Sequence, residues 1–144
     1  MNIIHPADIY VKDTGTIEGR GVFALRDFAQ GEIVEQCPVI ILLRAYDELP
    51  PRIKTMVFNW GNLAKTTPSY ALSLGFGSLY NHANPANLLY EARPVDSTIA
   101  YIAVRAIKKD EELSINYNAG GGSHVSVADS WFKQHNMRLF KILR

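Results

Sequence analysis

Residues 77–87, GSLYNHANPAN, form the most unusual stretch of the chain, because turn-forming residues are flanked there by residues that favour burial. Asparagine and proline at this density ordinarily mark an exposed turn. The flanking residues nevertheless favour burial: they are Leu79, Tyr80, Leu88, Leu89 and Tyr90. A buried loop must satisfy its backbone groups, and short amides such as Asn81 and Asn87 can do that. The stretch is therefore predicted to be an internal turn.

A second landmark, residues 110–117, reads DEELSINY. In an extended strand Leu113, Ile115 and Tyr117 share one side, and the polar residues between them share the other. Tyr117 is therefore expected to point inward. A third landmark, EGRGVFAL at residues 18–25, places Gly19 and Gly21 around one long cation just before a short apolar strand.

Together these stretches resemble the three main signatures of the SET-domain family. The resemblance rests on Gly19-Arg20-Gly21-Val22-Phe23-Ala24, on Asn81-His82 with Asn87 five residues after the histidine, and on Glu111-Glu112-Leu113 leading to Tyr117. Each motif alone is weak, whereas three in the family's order form a specific signal. The resemblance covers residues 9–118, which are taken as the core, and residues 119–144 are interpreted as a linker and a carboxy-terminal closing segment.

Short apolar runs predict a mostly β domain with a few short helices. Strands are expected at residues 9–11, 20–25, 71–75, 88–92 and 98–104, with the last two forming a hairpin. Residues 33–43 are expected to form two short strands or one strand broken at Pro38. The resemblance implies the SET-domain fold, which is β-clip-like and has a pseudoknot near the carboxy-terminal motifs.

One helix is predicted near the middle of the chain. After Pro50-Pro51, the apolar residues Ile53, Met56, Val57 and Trp60 follow the i, i+3, i+4, i+7 spacing of an amphipathic helix. Gly61 stands where such a helix would stop.

Composition narrows the class of protein. The 144 residues, 47% of them hydrophobic, suffice for one domain with an ordinary core. A net charge of +1 with no basic stripe gives no reason to expect nucleic acid. Cys37, the single cysteine, can form neither an internal disulfide nor a thiolate metal cage. With no signal peptide or membrane-length apolar run, an intracellular protein without metal or membrane contact is expected.

The resemblance implies a protein-lysine methyltransferase that uses S-adenosylmethionine and leaves S-adenosylhomocysteine. Its substrate would be a lysine of a histone or of another protein. Such a transfer needs a neutral amine and an in-line approach rather than a metal. Deprotonating a lysine at pH 7 costs about 4.6 kcal/mol, and desolvation beside a sulfonium lowers that cost. A homodimer would let a small domain complete an open substrate groove.

The family's site residues carry over onto matching positions. Tyr117 is implied as the catalytic tyrosine that orients the amine, although a tyrosine finishing a core strand is the alternative. The backbone around Gly19, Arg20 and Gly21 is implied to contact the methionine part of the cofactor, and a turn glycine pair is the alternative. Asn81 and His82 match the pair that binds the amino and adenine parts, and a turn with a satisfied histidine is the alternative.

Three aromatic residues complete the expected site. Trp131 is implied to cover the adenine of the cofactor and Phe132 to line the lysine channel, while an amphipathic helix packing through both rings is equally compatible with the pattern. Tyr90 occupies the position of a channel aromatic, and a core or surface aromatic is the alternative.

Some residues depart from the family pattern. Ala83 replaces a usual serine, Asn116 replaces a common acidic residue before the tyrosine, and Glu35-Gln36-Cys37-Pro38 stands near a missing Tyr-x-Gly element. These departures favour a second hypothesis, a non-catalytic SET-fold module that recognises a partner. Cofactor binding discriminates between the two, because the module need not bind S-adenosylmethionine.

Overall fold

The structure is a computed structural model, and it describes residues 3–117. In chain order the strands of this part are β1 (Ile9–Asp13), β2 (Arg20–Ala24), β3 (Ile33–Leu42), β4 (Val57–Phe58), β5 (Tyr70–Ser73), β6 (Asn81–His82), β7 (Leu88–Arg93), β8 (Thr98–Ala103) and β9 (Glu112–Ile115). The helices are α1 (Pro51–Lys54) and α2 (Trp60–Ala64), with single 3-10 turns at Tyr46–Glu48 and Gly77–Leu79. The predicted mostly β class with a few short helices is confirmed.

The first sheet has the order β1-β2-β9-β6. Strand β9 pairs antiparallel with β2, where Val22 faces Leu113, and parallel with β6, where Asn81 faces Ser114. A late strand thus lies between an early strand and a middle one. This interleaving brings the three sequence motifs into one sheet, as the predicted pseudoknot requires.

The second sheet has the order β4-β5-β3-β8-β7. Strands β7 and β8 form the predicted hairpin, which turns through Ser97 at a positive φ of 52°. Strand β3 is continuous rather than split at Pro38. Its first half pairs with β8 as far as Pro38, and its second half pairs with β5 from Val39 onward. Proline has no N–H to donate, so it fits the point where the strand changes partner.

The prediction of one helix across residues 53–60 is wrong. Helix α1 ends at Lys54, residues Val57 and Phe58 pair with β5, and Gly61 lies inside α2 rather than beyond its end. A β-branched and an aromatic residue side by side favour an edge strand. Asn59 then begins α2 as its N-cap, because its side-chain oxygen accepts the N–H of Asn62 at 3.0 Å.

A single apolar core joins the two sheets. Its fully buried members include Val22 of β2, Leu88 of β7, Tyr101 of β8 and Leu113 of β9. The Asn-rich turn is buried at both ends and exposed only at its tip, Asn84-Pro85, which is a cis peptide. The predicted internal turn is therefore confirmed for its ends, since Asn81 and Asn87 are 5% and 4% exposed.

Candidate functional site

Asn81 links all three sequence motifs. It lies on β6 between the end of the 3-10 turn and the Asn-rich tip, and it is buried. Its amide nitrogen donates to the carbonyl oxygen of Arg20 at 3.0 Å and to Oε2 of Glu112 at 2.8 Å. The side chain therefore fixes the glycine-flanked segment at the start of β2 against the start of β9.

His82 and Tyr117 form the second junction. Nδ1 of His82 accepts the backbone N–H of Tyr117 at 3.0 Å, and the two rings meet edge to face with centroids 5.3 Å apart. Because Nδ1 accepts, the neutral imidazole carries its proton on Nε2. The histidine therefore fixes the position of the Tyr117 backbone, just after the end of β9.

The hydroxyl of Tyr117 donates to the backbone carbonyl of Tyr80. Tyr117 is half-buried and packs against the core, as predicted. It does not continue the alternation of β9, however, because the strand ends at Ile115 and Asn116 is itself buried at 1% exposure. The direction of Tyr117 is therefore determined by its contacts to His82 and Tyr80 rather than by strand periodicity.

Tyr80 and Glu35 belong to this network, and sequence reasoning missed both of them. The side chain of Tyr80 is fully buried, and its hydroxyl donates to Oε1 of Glu35 at 2.7 Å. Burial raises the pKa of Tyr80 well above its ordinary value of 10.0, and the neighbouring carboxylate raises it further, so the hydroxyl stays protonated and donates. The position of Tyr80 directly before Asn81-His82 was the available signal.

The two glycines around Arg20 have different reasons to be glycine. Gly19 has a positive φ of 73°, which side chains rarely adopt. Gly21 lies where an added Cβ would come within 2.6 Å of Oε2 of Glu112 and 2.9 Å of Cγ2 of Thr14. The Gly21 position is thus reserved for the carboxylate that receives Asn81, a close approach between β2 and β9.

Asn87 binds β9 from its other side. Its Oδ1 accepts the N–H of Ser114 at 2.8 Å, and its Nδ2 donates to the carbonyl of Glu112 at 2.8 Å. The amide therefore pairs with two alternate residues of a strand, much as a neighbouring strand would. It also reaches Oε2 of Glu111 at 3.3 Å. Asn87 was expected to be structural, and these contacts are structural ones.

Glu111 anchors the turn before β9. Its carboxylate pairs with the guanidinium of Arg105 and accepts the N–H of Lys108 at 3.2 Å. The Arg105 hydrogen bond is the main cause that holds the pKa of Glu111 below its ordinary value of 4.5. This ion pair lies at the protein surface and positions the strand rather than the reacting groups.

Tyr90 is buried under the same junction. Its ring meets Phe58 edge-on at 5.2 Å, and its hydroxyl donates to the carbonyl of Asn116 at 3.1 Å. The side chain is 6% exposed, and burial raises the pKa of its hydroxyl. Tyr90 therefore holds the backbone of Asn116, the residue before Tyr117. Its role in a substrate channel stays a prediction.

Of the predicted site residues, Gly19, Arg20, Gly21, Asn81, His82, Tyr90 and Tyr117 are brought together by β2, β6, β7 and the end of β9. Trp131 and Phe132 lie outside the described residues. Within residues 3–117 the acidic, histidine and cysteine side chains form no group of three that could hold a metal ion. In the same range no helix has the length and hydropathy needed to cross a bilayer.

Comparison with known proteins matches most of the chain to one family. Residues 19–118 match the sequence model of the SET domain. A Schizosaccharomyces pombe protein named histone-lysine N-methyltransferase, H3 lysine-37 specific, is 30% identical over 123 residues, which make up 85% of this chain and 76% of that relative.

A solved structure shares the fold. The crystal structure of a Plasmodium falciparum protein, provisionally assigned as a histone methyltransferase, superposes with a TM-score of 0.63 at 26% sequence identity. The match covers 81% of this chain and 97% of that one.

Proposed function

This chain belongs to the SET-domain family and is a protein-lysine methyltransferase, and we propose that it transfers the methyl group of S-adenosylmethionine to a lysine of a histone. The substrate class follows from the name of the S. pombe relative, which acts on histone H3. A histone substrate would place the protein in the nucleus or in the cytoplasm where histones are made. It also makes the partner a lysine-bearing polypeptide rather than nucleic acid.

One observation carries the proposal. The glycine-flanked segment, the Asn-His pair and the terminal tyrosine, which lie far apart in sequence, meet through direct hydrogen bonds of Asn81 to Arg20 and of His82 to Tyr117. A coincidental set of motifs would have no reason to converge on one junction. A binding module of the same fold would keep these contacts too, so the transfer itself must be measured.

The groups at this junction fit S-adenosylmethionine by their chemistry. When bound, that compound supplies an activated methyl group on a cationic sulfur. Two oxygens, the hydroxyl of Tyr117 and the carbonyl of Tyr80, lie in contact, and oxygen acceptors suit the partial positive charge of such a methyl group. The backbone at Gly19 and Arg20 would hold the methionine part, and the Asn81-His82 pair would hold the amino and adenine parts, the histidine partly through its backbone.

Tyr117 would orient the lysine amine rather than remove its proton. Its hydroxyl can donate to the Tyr80 carbonyl and accept from an incoming amine at the same time, because a phenol has both capacities. That arrangement holds the nitrogen lone pair along the line of transfer. Desolvation of the amine lowers the cost of its neutral form.

The test is transfer of labelled methyl groups from S-adenosylmethionine to core histones and histone peptides, with mass spectrometry of the modified lysine. We expect Tyr117→Phe to lower kcat about 100-fold or more, in line with losses at positioned proton and orientation groups, while its melting temperature and cofactor affinity stay near those of the parent. Tyr10→Phe is the matched control, because it removes a hydroxyl whose hydrogen bond goes to the exposed Asp110 at 2.8 Å.

Two results would contradict the proposal. Absence of cofactor binding by calorimetry would favour the non-catalytic module. Equal turnover by the parent and by Tyr117→Phe would remove Tyr117 from the reaction. In addition, a parent protein that labels lysines of other proteins but no histone would overturn the histone substrate and leave the methyltransferase activity.

A further inference from the structure

Glu35 lies outside the three motifs, yet its carboxylate holds both ends of the segment that enters Asn81. Oε2 accepts the backbone N–H of Phe76 at 3.0 Å, before the 3-10 turn at Gly77–Leu79. Oε1 accepts the hydroxyl of Tyr80 at 2.7 Å, directly after the turn. One carboxylate on β3 therefore spans the whole turn.

The same segment delivers the carbonyl that receives the Tyr117 hydroxyl. The carbonyl belongs to Tyr80, so the residue held by Glu35 through its side chain holds Tyr117 through its backbone. Glu35 is therefore connected to the Tyr117 hydroxyl by two hydrogen bonds, one on each side of Tyr80. No residue of the three motifs lies between them.

Packing leaves Tyr80 little freedom to find another partner. Its side chain is fully buried, and its ring lies against that of Tyr101 with centroids 4.8 Å apart. The Glu35 carboxylate also lies against the backbone that leads into the turn, since an added Cβ at Gly75 would come within 2.6 Å of Oε2. Gly75 has a positive φ of 60°. The Glu35 carboxylate is thus in close contact with the backbone before the turn and with the side chain after it.

We propose that Glu35 is a positioning residue for methyl transfer, which acts through Tyr80 on the hydroxyl of Tyr117. The proposal rests on the proposed function, because it assigns Glu35 to the same reaction. Without the carboxylate, the buried Tyr80 hydroxyl loses its acceptor, and the N–H of Phe76 loses its acceptor as well. The segment then shifts to satisfy both groups, and the Tyr80 carbonyl moves with it. A misplacement of about 1 Å can cost about 100-fold in rate.

Tyr80→Phe and Glu35→Ala are the two informative variants. The first removes only the hydroxyl, and the second removes the carboxylate from both of its donors. Glu35→Gln offers one oxygen to two donors and should retain an intermediate activity. If Glu35→Ala does not fold, Glu35→Gln and Tyr80→Phe still test the proposal.

Tyr101→Phe is the matched control. Tyr101 is also fully buried, stacks on Tyr80, and loses one hydrogen bond as phenylalanine, the one its hydroxyl donates to Oγ of Ser73 at 2.9 Å. That bond lies beside Gly77 at the start of the 3-10 turn, but it is not part of the path from Glu35 through Tyr80 to Tyr117. If Glu35 has only a structural role, Tyr80→Phe and Tyr101→Phe should have the same effect on kcat and on the environment of Tyr117.

Two readouts on the full chain decide the question. The first is steady-state kinetics with S-adenosylmethionine and a histone peptide, together with cofactor affinity by calorimetry. We expect kcat of Tyr80→Phe and Glu35→Ala to fall by about tenfold to about 100-fold, with both KM values and the cofactor Kd within about threefold. The second is the carbon NMR signal of the Tyr117 ring, assigned by its loss in Tyr117→Phe, which should shift in both variants and not in Tyr101→Phe.

An unmoved Tyr117 signal in both variants would overturn the proposal, and so would a kcat equal to that of Tyr101→Phe. A parent protein that transfers no methyl group would instead refute the proposed function. The NMR signal would then still report whether Glu35 positions the Tyr117 hydroxyl. The two failures are therefore distinguishable.

Discussion

At the scale of single residues, the side chain of Asn87 pairs with the backbone of β9, in addition to the pairing of that strand with β2 and β6. Its side-chain oxygen accepts the N–H of Ser114, and its side-chain nitrogen donates to the carbonyl of Glu112; both hydrogen bonds are part-buried. An alanine side chain can make neither bond. We expect Asn87→Ala to lower the free energy of unfolding by roughly 2 to 4 kcal/mol, because two backbone groups lose their partners. Asn62→Ala, at an exposed position on α2, is the control. Urea unfolding measures both, and equal midpoints would show that water satisfies β9.

Glu111 gives the protein an acid-sensitive contact. Because the Arg105 hydrogen bond lowers its pKa in the folded state below 4.5, this group stabilises the fold above its unfolded pKa, and the contribution is lost as pH falls through the lowered value. We expect Glu111→Gln to lower the melting temperature at pH 7 and to melt more nearly like the parent at the acid end. The pair is partly exposed, so the effect is small.

Thermal melts from pH 3 to pH 7 measure that effect. Glu91→Gln is the control, since Glu91 pairs with the nearby Arg93 at 3.0 Å on the surface of β7. A parallel offset between Glu111→Gln and the parent at every pH would contradict the linkage.

At the scale of elements, the boundary between β4 and α2 depends on Asn59. Its side chain caps α2 through the N–H of Asn62 at 3.0 Å, and this cap ends the edge strand at Phe58. We expect Asn59→Ala to cost about 1 kcal/mol of stability in urea unfolding. Asn62→Ala should be near neutral, because alanine favours a helix interior. Similar costs for the two variants would mean that the cap does not set the boundary.

The same boundary shows what the sequence could and could not predict among the elements. The hairpin of β7 and β8 and the buried positions of Leu113 and Ile115 on β9 follow from local alternation and turn residues, and both are found. The alternation was also expected to include Tyr117, but β9 ends at Ile115. The spacing of Ile53, Met56 and Trp60 is equally periodic, yet pairing of Val57 with Leu72 of β5 overrides it. Periodicity reports local preference, and a strand partner further along the chain is invisible to it.

The site residues show the same difference between local patterns, which the sequence displays, and distant contacts, which it does not. Motif residues such as Asn81 and Tyr117 could be named because a familiar pattern marks them in the sequence. The Glu35–Tyr80 contact could not, because it joins residues 45 apart whose types are ordinary in their own segments. The glutamate was visible only as a departure from the expected Tyr-x-Gly.

At the scale of the whole molecule, β9 closes the fold. In the first sheet β9 lies between β2 and β6 and pairs with both, and its side chains Leu113 and Ile115 are 0% and 2% exposed. Burying two such side chains contributes about 3 to 6 kcal/mol, which is comparable with the whole stability of a small domain. Without β9, moreover, the amide of Asn81 loses one of its acceptors on Glu112. The fold of residues 3–117 therefore depends on the last strand of that range.

Two truncations test this dependence. A chain ending at residue 110 lacks β9, and we expect it to lose near-ultraviolet dichroism and cooperative melting. A chain ending at residue 118 keeps every strand of the described part, so we expect it to melt cooperatively but to bind S-adenosylmethionine more weakly, since it lacks Trp131. Calorimetry and thermal dichroism on both chains and the parent measure these effects. Cooperative melting of the shorter chain would mean that β2 and β6 hold together without β9, whereas unchanged cofactor affinity of the longer one would remove residues 119–144 from the site.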